Sequence, residues 1–340
     1  MQELLTGGPE APRPRSWPWA RLATPLGLLA GRRRPGVMIL LSILYLAIAT
    51  AVMVWRRMII TEDYMLVLLV PIAVLSGRVV RFAADWVPFL AVLLAWEAMR
   101  GFADHAGFPV HTGNLRMDQT MFGGAVPTVV LQHWISGLGI AGFLNGATTI
   151  AYFLHFPVTA AAGVVLWMRN RARFLQYTTA LLVMSFAAFA VFVVLPTAPP
   201  WWAADHGQFT GMWRIFRYTM PSQLSPLFSS LDPNPVAALP SMHSAYPFLA
   251  FLIMRRVWPR ASLLMLAWSA VIWFSVVYLG EHYVIDVLVG MIWALGVWIV
   301  VERVLAPRLR PLQDGRAAAD RGAPEGSLRP ILLDPEPVPV

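Results

Sequence analysis

From residue 261 to residue 279 the chain carries no charged side chain. A helix needs about 20 mostly apolar residues to cross the hydrocarbon core of a bilayer. Four more segments satisfy that length, at 37–55, 143–168, 174–195 and 283–301. Three weaker ones, 64–77, 86–99 and 243–254, are short or hold a proline or an acid near one end. Together they predict an all-α, polytopic transmembrane helical bundle of about eight spans.

Composition agrees. Hydrophobic residues make up 58% of the chain, charged residues only 13%, and the mean hydropathy is +0.61. A soluble domain carries nearly twice that charge. The net charge of +8 raises a nucleic-acid reading, but the 26 basic residues, all Arg, are scattered among apolar runs. Topology signals and attraction to anionic lipid explain them better, so no nucleic-acid partner is expected. Cysteine is absent, which removes disulfides and thiolate metal ligands.

Arginine placement fixes an expected orientation. With the N-terminus in the cytoplasm, the inner segments hold Arg32 to Arg34, Arg78 and Arg81, Arg169, Arg171 and Arg173, Arg255, Arg256 and Arg260, and Arg303, Arg308 and Arg310. The outer loops hold Arg56, Arg57, Arg100, Arg116, Arg214 and Arg217. That bias repeats at every inner connection, as the positive-inside rule requires. A plasma-membrane protein with both termini cytoplasmic follows. Residues 1–35, rich in Pro and Arg, read as a flexible arm and not a cleaved signal. Residues 36–114 read as N-terminal transmembrane helices and 115–304 as the membrane domain bearing the chemistry, while the polar stretch 305–340 reads as a disordered cytoplasmic tail. Two outer segments, 101–142 and 196–240, exceed plain turns; long loops of this kind are often functional lids.

Two motifs stand where polar loops enter apolar runs: Pro240-Ser241-Met242-His243-Ser244 and Gly280-Glu281-His282-Tyr283-Val284-Ile285-Asp286. Their histidines lie 39 residues apart, the length of one helix down, an arginine-bearing turn and one helix back. Both therefore emerge on the outer face. At a helical spacing of four, Asp286 is expected to accept a hydrogen bond from one nitrogen of His282, leaving the other as an oriented nucleophile or base. The bland alternative is a polar pair satisfying itself at a helix end. Ser241 after Pro240 reads as an N-cap, which places His243 in a first turn where backbone N–H groups attract anions. There it can hold a phosphate oxygen or protonate a leaving alkoxide.

With Ala238-Leu239 before the first motif, and with Pro196-Thr197-Ala198-Pro199-Pro200-Trp201 and Asn234-Pro235 upstream, these elements resemble the type-2 phosphatidic acid phosphatase superfamily. The nearer likeness is to its inositol phosphorylceramide synthase branch, over about residues 115–304. That resemblance implies a six-helix catalytic core, with His282 as the nucleophile that forms a phosphohistidine, Asp286 as its orienting partner and His243 as the acid. It implies no metal and no cofactor. The substrate would be a membrane lipid phosphate and the acceptor a polyol or water. The chain departs from the acid-phosphatase pattern at Val276, where that pattern has Arg, and it lacks the upstream Lys-x6-Arg-Pro element.

Arg214 and Arg217 are the candidates to neutralise the phosphate in their place; binding of anionic head groups or plain solvation is the alternative reading of each. Ser241, Glu281 and Tyr283 complete the expected substrate-binding set. Glu281 either tunes His282, binds a polyol hydroxyl or is an exposed loop acid. Asp118 and His133 are weaker pocket candidates. Glu97 and His155 fall within apolar spans, where pairing inside the bundle is the first expectation. A transporter would show repeat symmetry and midplane charges, and a metal-dependent phosphotransferase an Asp-rich cluster; neither pattern is present in the sequence. Two activities stay open: inositol-phosphoryl transfer, or hydrolysis of a prenyl or glycerolipid phosphate. The oligomeric state is not legible.

Overall fold

The computed structural model describes residues 79–103, 107–219 and 235–307, with isolated positions between 40 and 71. The spans expected at 37–55 and 64–77, the N-terminal arm, most of the 305–340 tail and Asn234 fall wholly or mainly outside the described residues. The chain divides into two compact units, residues 1–94 and 95–340. The first contributes the start of α1 (Val79–Ala103), where Phe82 stacks on Trp86.

In the second unit, the described residues form α2 (Gly113–Met121), α3 (Pro127–Gly137), α4 (Ala141–Arg169), α5 (Arg171–Val194), α6 (Pro200–Asp205), α7 (Phe216–Thr219), α8 (Met242–Met254), α9 (Pro259–Leu279) and α10 (Val284–Val300). A π-turn, Val301–Leu305, extends α10. Among the described residues, four helices are long and apolar enough to cross a membrane: α4, α5, α9 and α10 with its extension. Each coincides with a span expected from sequence. The protein is a polytopic helical bundle.

The shorter apolar helix α8 is the hub, packed against α4, α5, α9 and α10. Ala245, Leu249 and Ala250 are fully buried within it, as are Ala188 of α5 and Ala294 of α10. Lipid chains are as apolar as leucine, so burial from water cannot drive this packing; close backbone approach between small residues supplies dispersion contacts instead. Inside the bundle, polar side chains link helices: Ser185 Oγ pairs with the Tyr246 hydroxyl at 2.8 Å, and the Tyr177 hydroxyl donates to Thr159 O at 3.0 Å. At the end of the bundle where α5 begins, Arg173 meets Glu302 at 2.8 Å, tying α5 to the π-turn.

The two long segments expected outside the membrane form short helices where described. α2 and α3 pack on α10 and α9. Short parallel bridges link Thr197 to His111 and to Ala237, so the chain leaving α5 is laid between the segment that enters α2 and the one that precedes α8.

Candidate active site

α8 begins as the sequence requires. Ser241 Oγ accepts from Ser244 N at 3.3 Å, and Ser241 N donates to Asp286 O at 3.1 Å. Ser244 Oγ donates to Val287 O at 3.1 Å, so the first turns of α8 and α10 are stitched side by side. Gly290 permits that approach. A β-carbon there would collide with Ser244 Oγ and the Ser241 carbonyl oxygen and lie 3.2 Å from the Ser241 carbonyl carbon.

His282 arrives from α9. Gly280 ends that helix in the left-handed region at φ 80°, and Glu281 N and His282 N both donate to Val276 O, at 3.0 and 3.1 Å. This glycine C-cap turns the chain so that His282 faces α8. Its Nε2 lies 3.1 Å from His243 Nδ1, with His282 only 5% exposed. Two histidines far apart in sequence thus share a direct contact.

The expected hydrogen bond between Asp286 and His282 is replaced. His282 Nδ1 lies 3.0 Å from Ala238 O and 3.8 Å from Asp286 Oδ2. The spacing-of-four rule holds only inside a helix, and α10 starts after His282, with Tyr283 as N-cap. Asp286 is the third residue of α10 and reaches back to Tyr283 N at 2.9 Å, as capping acids do. Because a carbonyl can only accept, Ala238 O fixes the proton of His282 on Nδ1 and the lone pair on Nε2. Asp286, fully buried, sits behind the ring.

Asp286 has a second partner, Asn114 Nδ2 at 3.3 Å; the same amide donates to Ala198 O at 2.9 Å. One helical turn later, Asp118 accepts from Val284 N and Ile285 N, both at 2.9 Å. α2 therefore presents Asn114 and Asp118 on one face to the start of α10. Burial pushes the Asp118 carboxyl above the usual carboxylate range, against the pull of its two N–H bonds, and the Asp286 charge adds to the rise. Asp118→Ala orphans both amides and is expected to cost about 2–3 kcal/mol, read as a lower melting temperature in detergent. An unchanged melting temperature would contradict this clamp.

The other expected substrate residues are placed as follows. Ser241 is fully buried, its hydroxyl engaged in the cap. Tyr283 packs its ring against Leu115 and Val126. Burial pushes its phenol well above the ordinary value, so it stays neutral. Glu281 is half-buried beside His282. Arg214 and Arg217 both turn to Asp205, at 3.0 and 3.8 Å, and the Arg214 guanidinium lies 4.1 Å over the Trp201 ring. Trp201 N in turn donates to Gly280 O at 3.0 Å, two residues before His282. The segment that carries both arginines into α7 is held at two points: Gln132 exchanges hydrogen bonds with Trp213 N and O, and Phe216 stacks edge-on to Tyr152 at 5.0 Å. His133, on the same helix as Gln132, bonds Gly211 O at 3.0 Å and sits beside Trp213. Glu97 lies in α1, its side chain outside the described residues.

Sequence reasoning missed Ala238, Asn114 and Tyr152. The first acts through its backbone and leaves no side-chain signal. For His155 pairing inside the bundle is the first expectation and a functional role the second; its ring touches His243, with centroids 4.4 Å apart.

The fold and the site are those of a membrane bundle with two histidines in contact and a buried carboxyl group at the starts of adjacent helices. Residues 116–300, more than half of the chain, match the PAP2 superfamily, and the protein belongs to it. Among curated proteins it is similar to the phosphoinositol dihydroceramide synthase of Bacteroides thetaiotaomicron, 26% identical over 250 residues that cover 65% of this chain and 77% of that one. No solved structure matches it.

Proposed function

We propose that the protein transfers an inositol-phosphoryl group between membrane-lipid and alcohol hydroxyls through a phosphohistidine at His282. The observation that carries the reading is the 3.1 Å contact between His243 Nδ1 and the Nε2 lone pair of His282. In the first step that lone pair attacks phosphorus, the P–O bond to the leaving alcohol breaks, and the alkoxide takes a proton from His243. In the second step an acceptor hydroxyl gives its proton to His243 and attacks phosphorus. The P–N bond breaks and its electron pair returns to Nε2. The proton bookkeeping closes within the pair.

Phosphorylation makes the His282 ring cationic while Nδ1–H stays on Ala238 O. Asp286 at 3.8 Å opposes that charge with an attraction of about 4 kcal/mol at an effective dielectric near 20. Arg214 and Arg217 fit the phosphate-neutralising task. Their pairing with the half-exposed Asp205 is worth at most about 1 kcal/mol, so a multiply charged phosphate group displaces it readily. The positive-inside bias supports a site on the outer face of the plasma membrane.

A lipid phosphatase with the same three residues is the second reading, since water can resolve the same intermediate; the departures at Val276 and upstream favour transfer. Purified protein with phosphatidylinositol and ceramide in mixed micelles separates the two. The transfer reading expects phosphoinositol on ceramide and little free phosphoinositol. Release of free phosphoinositol or phosphate alone, whatever hydroxyl is supplied, would favour hydrolysis.

A further inference from the structure

His243 does not stand alone at the start of α8. Its ring stacks on Tyr152 with centroids 4.5 Å apart and an interplanar angle of 27°, and it meets His155 at 4.4 Å and 54°. Tyr152 and His155 are three residues apart on α4, so both project from one face of that helix. Their own rings lie 6.0 Å apart, which leaves a notch whose two walls both touch the His243 imidazole. The notch is itself held. His155 Nδ1 bonds the Tyr152 carbonyl oxygen, and Tyr152 is braced by Phe216 at 5.0 Å and Phe153 at 5.4 Å.

A histidine at the second position of a helix has two rotatable side-chain torsions; the backbone narrows the first, and packing around the ring decides which orientation aims Nδ1 at His282. The cap fixes the backbone through Ser241 and Ser244, not the ring. Two aromatic faces meeting at an angle restrict both torsions at once, because rotation about either drives the imidazole into a wall.

We infer that Tyr152 and His155 form an aromatic cradle that positions His243, with His155 the wall added for aim and not for bundle stability. His155 is a positioning residue: it acts through His243 and needs no contact with the lipid. The inference rests on His243 being the acid of the proposed reaction. It assigns a role to α4 that neither motif contains.

The test uses the full chain in detergent with phosphatidylinositol and ceramide, comparing wild type with His155→Ala and His155→Phe. Loss of one wall is expected to lower kcat by about 10–100-fold, as ångström-scale misplacement does, while KM moves less than about threefold. His155→Phe keeps the ring and is expected to restore kcat to within about threefold of wild type. All three proteins should melt alike. Imidazole ¹H–¹⁵N correlation spectra give a second readout that requires no turnover. The His243 and His282 ring signals should broaden or split in His155→Ala and stay wild-type-like in His155→Phe. Wild-type kcat and unshifted ring signals in His155→Ala would overturn the cradle, as would equal losses in the Ala and Phe variants. Wild type that turns over neither lipid would count against the proposed reaction while the spectra still decide the cradle.

Discussion

His282→Asn is expected to lower turnover by roughly 10³-fold or more without unfolding the protein. Asparagine keeps an N–H donor near the Ala238 carbonyl oxygen, which holds the native ring at 3.0 Å, but it has no lone pair in the position of Nε2. Covalent catalysis is then lost outright. His243→Asn differs in kind. It removes proton transfer, usually worth about 10²–10⁴-fold, and only where the leaving alcohol needs a proton. A phosphodiester with a nitrophenolate leaving group should therefore recover most of the first step in His243→Asn and nothing in His282→Asn. Equal recovery in both would contradict the division of labour between the two rings.

Gly290→Ala is the second large effect, and it acts at a distance from the reacting atoms. The added methyl meets Ser244 Oγ, which can swing away, and the backbone carbonyl of Ser241, which cannot. α8 must then separate from α10 at the turn that carries His243. Overpacking of this kind costs about 1–3 kcal/mol. The larger consequence is catalytic, because the contact between His243 and His282 spans the same two helices. A displacement near 1 Å predicts about a 10²-fold loss of kcat with a modest fall in melting temperature. A variant as active as wild type would show that the stitched turns do not set the geometry of the histidines.

Much of this arrangement was legible because the bilayer makes few things negotiable. The uncharged run 261–279 has no soluble alternative, and α9 occupies it as Pro259–Leu279. Ser241 after a proline and before an apolar run had one economical use, the cap it makes. The convergence of His243 and His282 followed from helix length alone. What sequence periodicity misjudged was where α10 begins. With Tyr283 as N-cap, His282 lies outside the helix, so Asp286 turns to the backbone of Tyr283 and the ring finds a carbonyl.

The supporting residues were illegible for a different reason. Asn114 reaches Asp286 across 172 residues, and no local pattern specifies such a pairing. Asp118 looked like a pocket acid of an outer loop and proves to be the clamp on two α10 amides. Arg214 and Arg217 carry no local signal of their partners, and only the folded chain brings Asp205 and Trp201 against Arg214. Tyr152 and His155 read as ordinary span residues until α4 and α8 are packed together.

The most direct measurement is acid-free quenching of the protein during turnover of radiolabelled phosphatidylinositol, followed by peptide mapping of the bound label. The account predicts an acid-labile, base-stable phosphoryl-inositol adduct on His282 that disappears when ceramide is added and is absent from His282→Asn. Label on another residue, or full turnover with no histidine ever labelled, would contradict it.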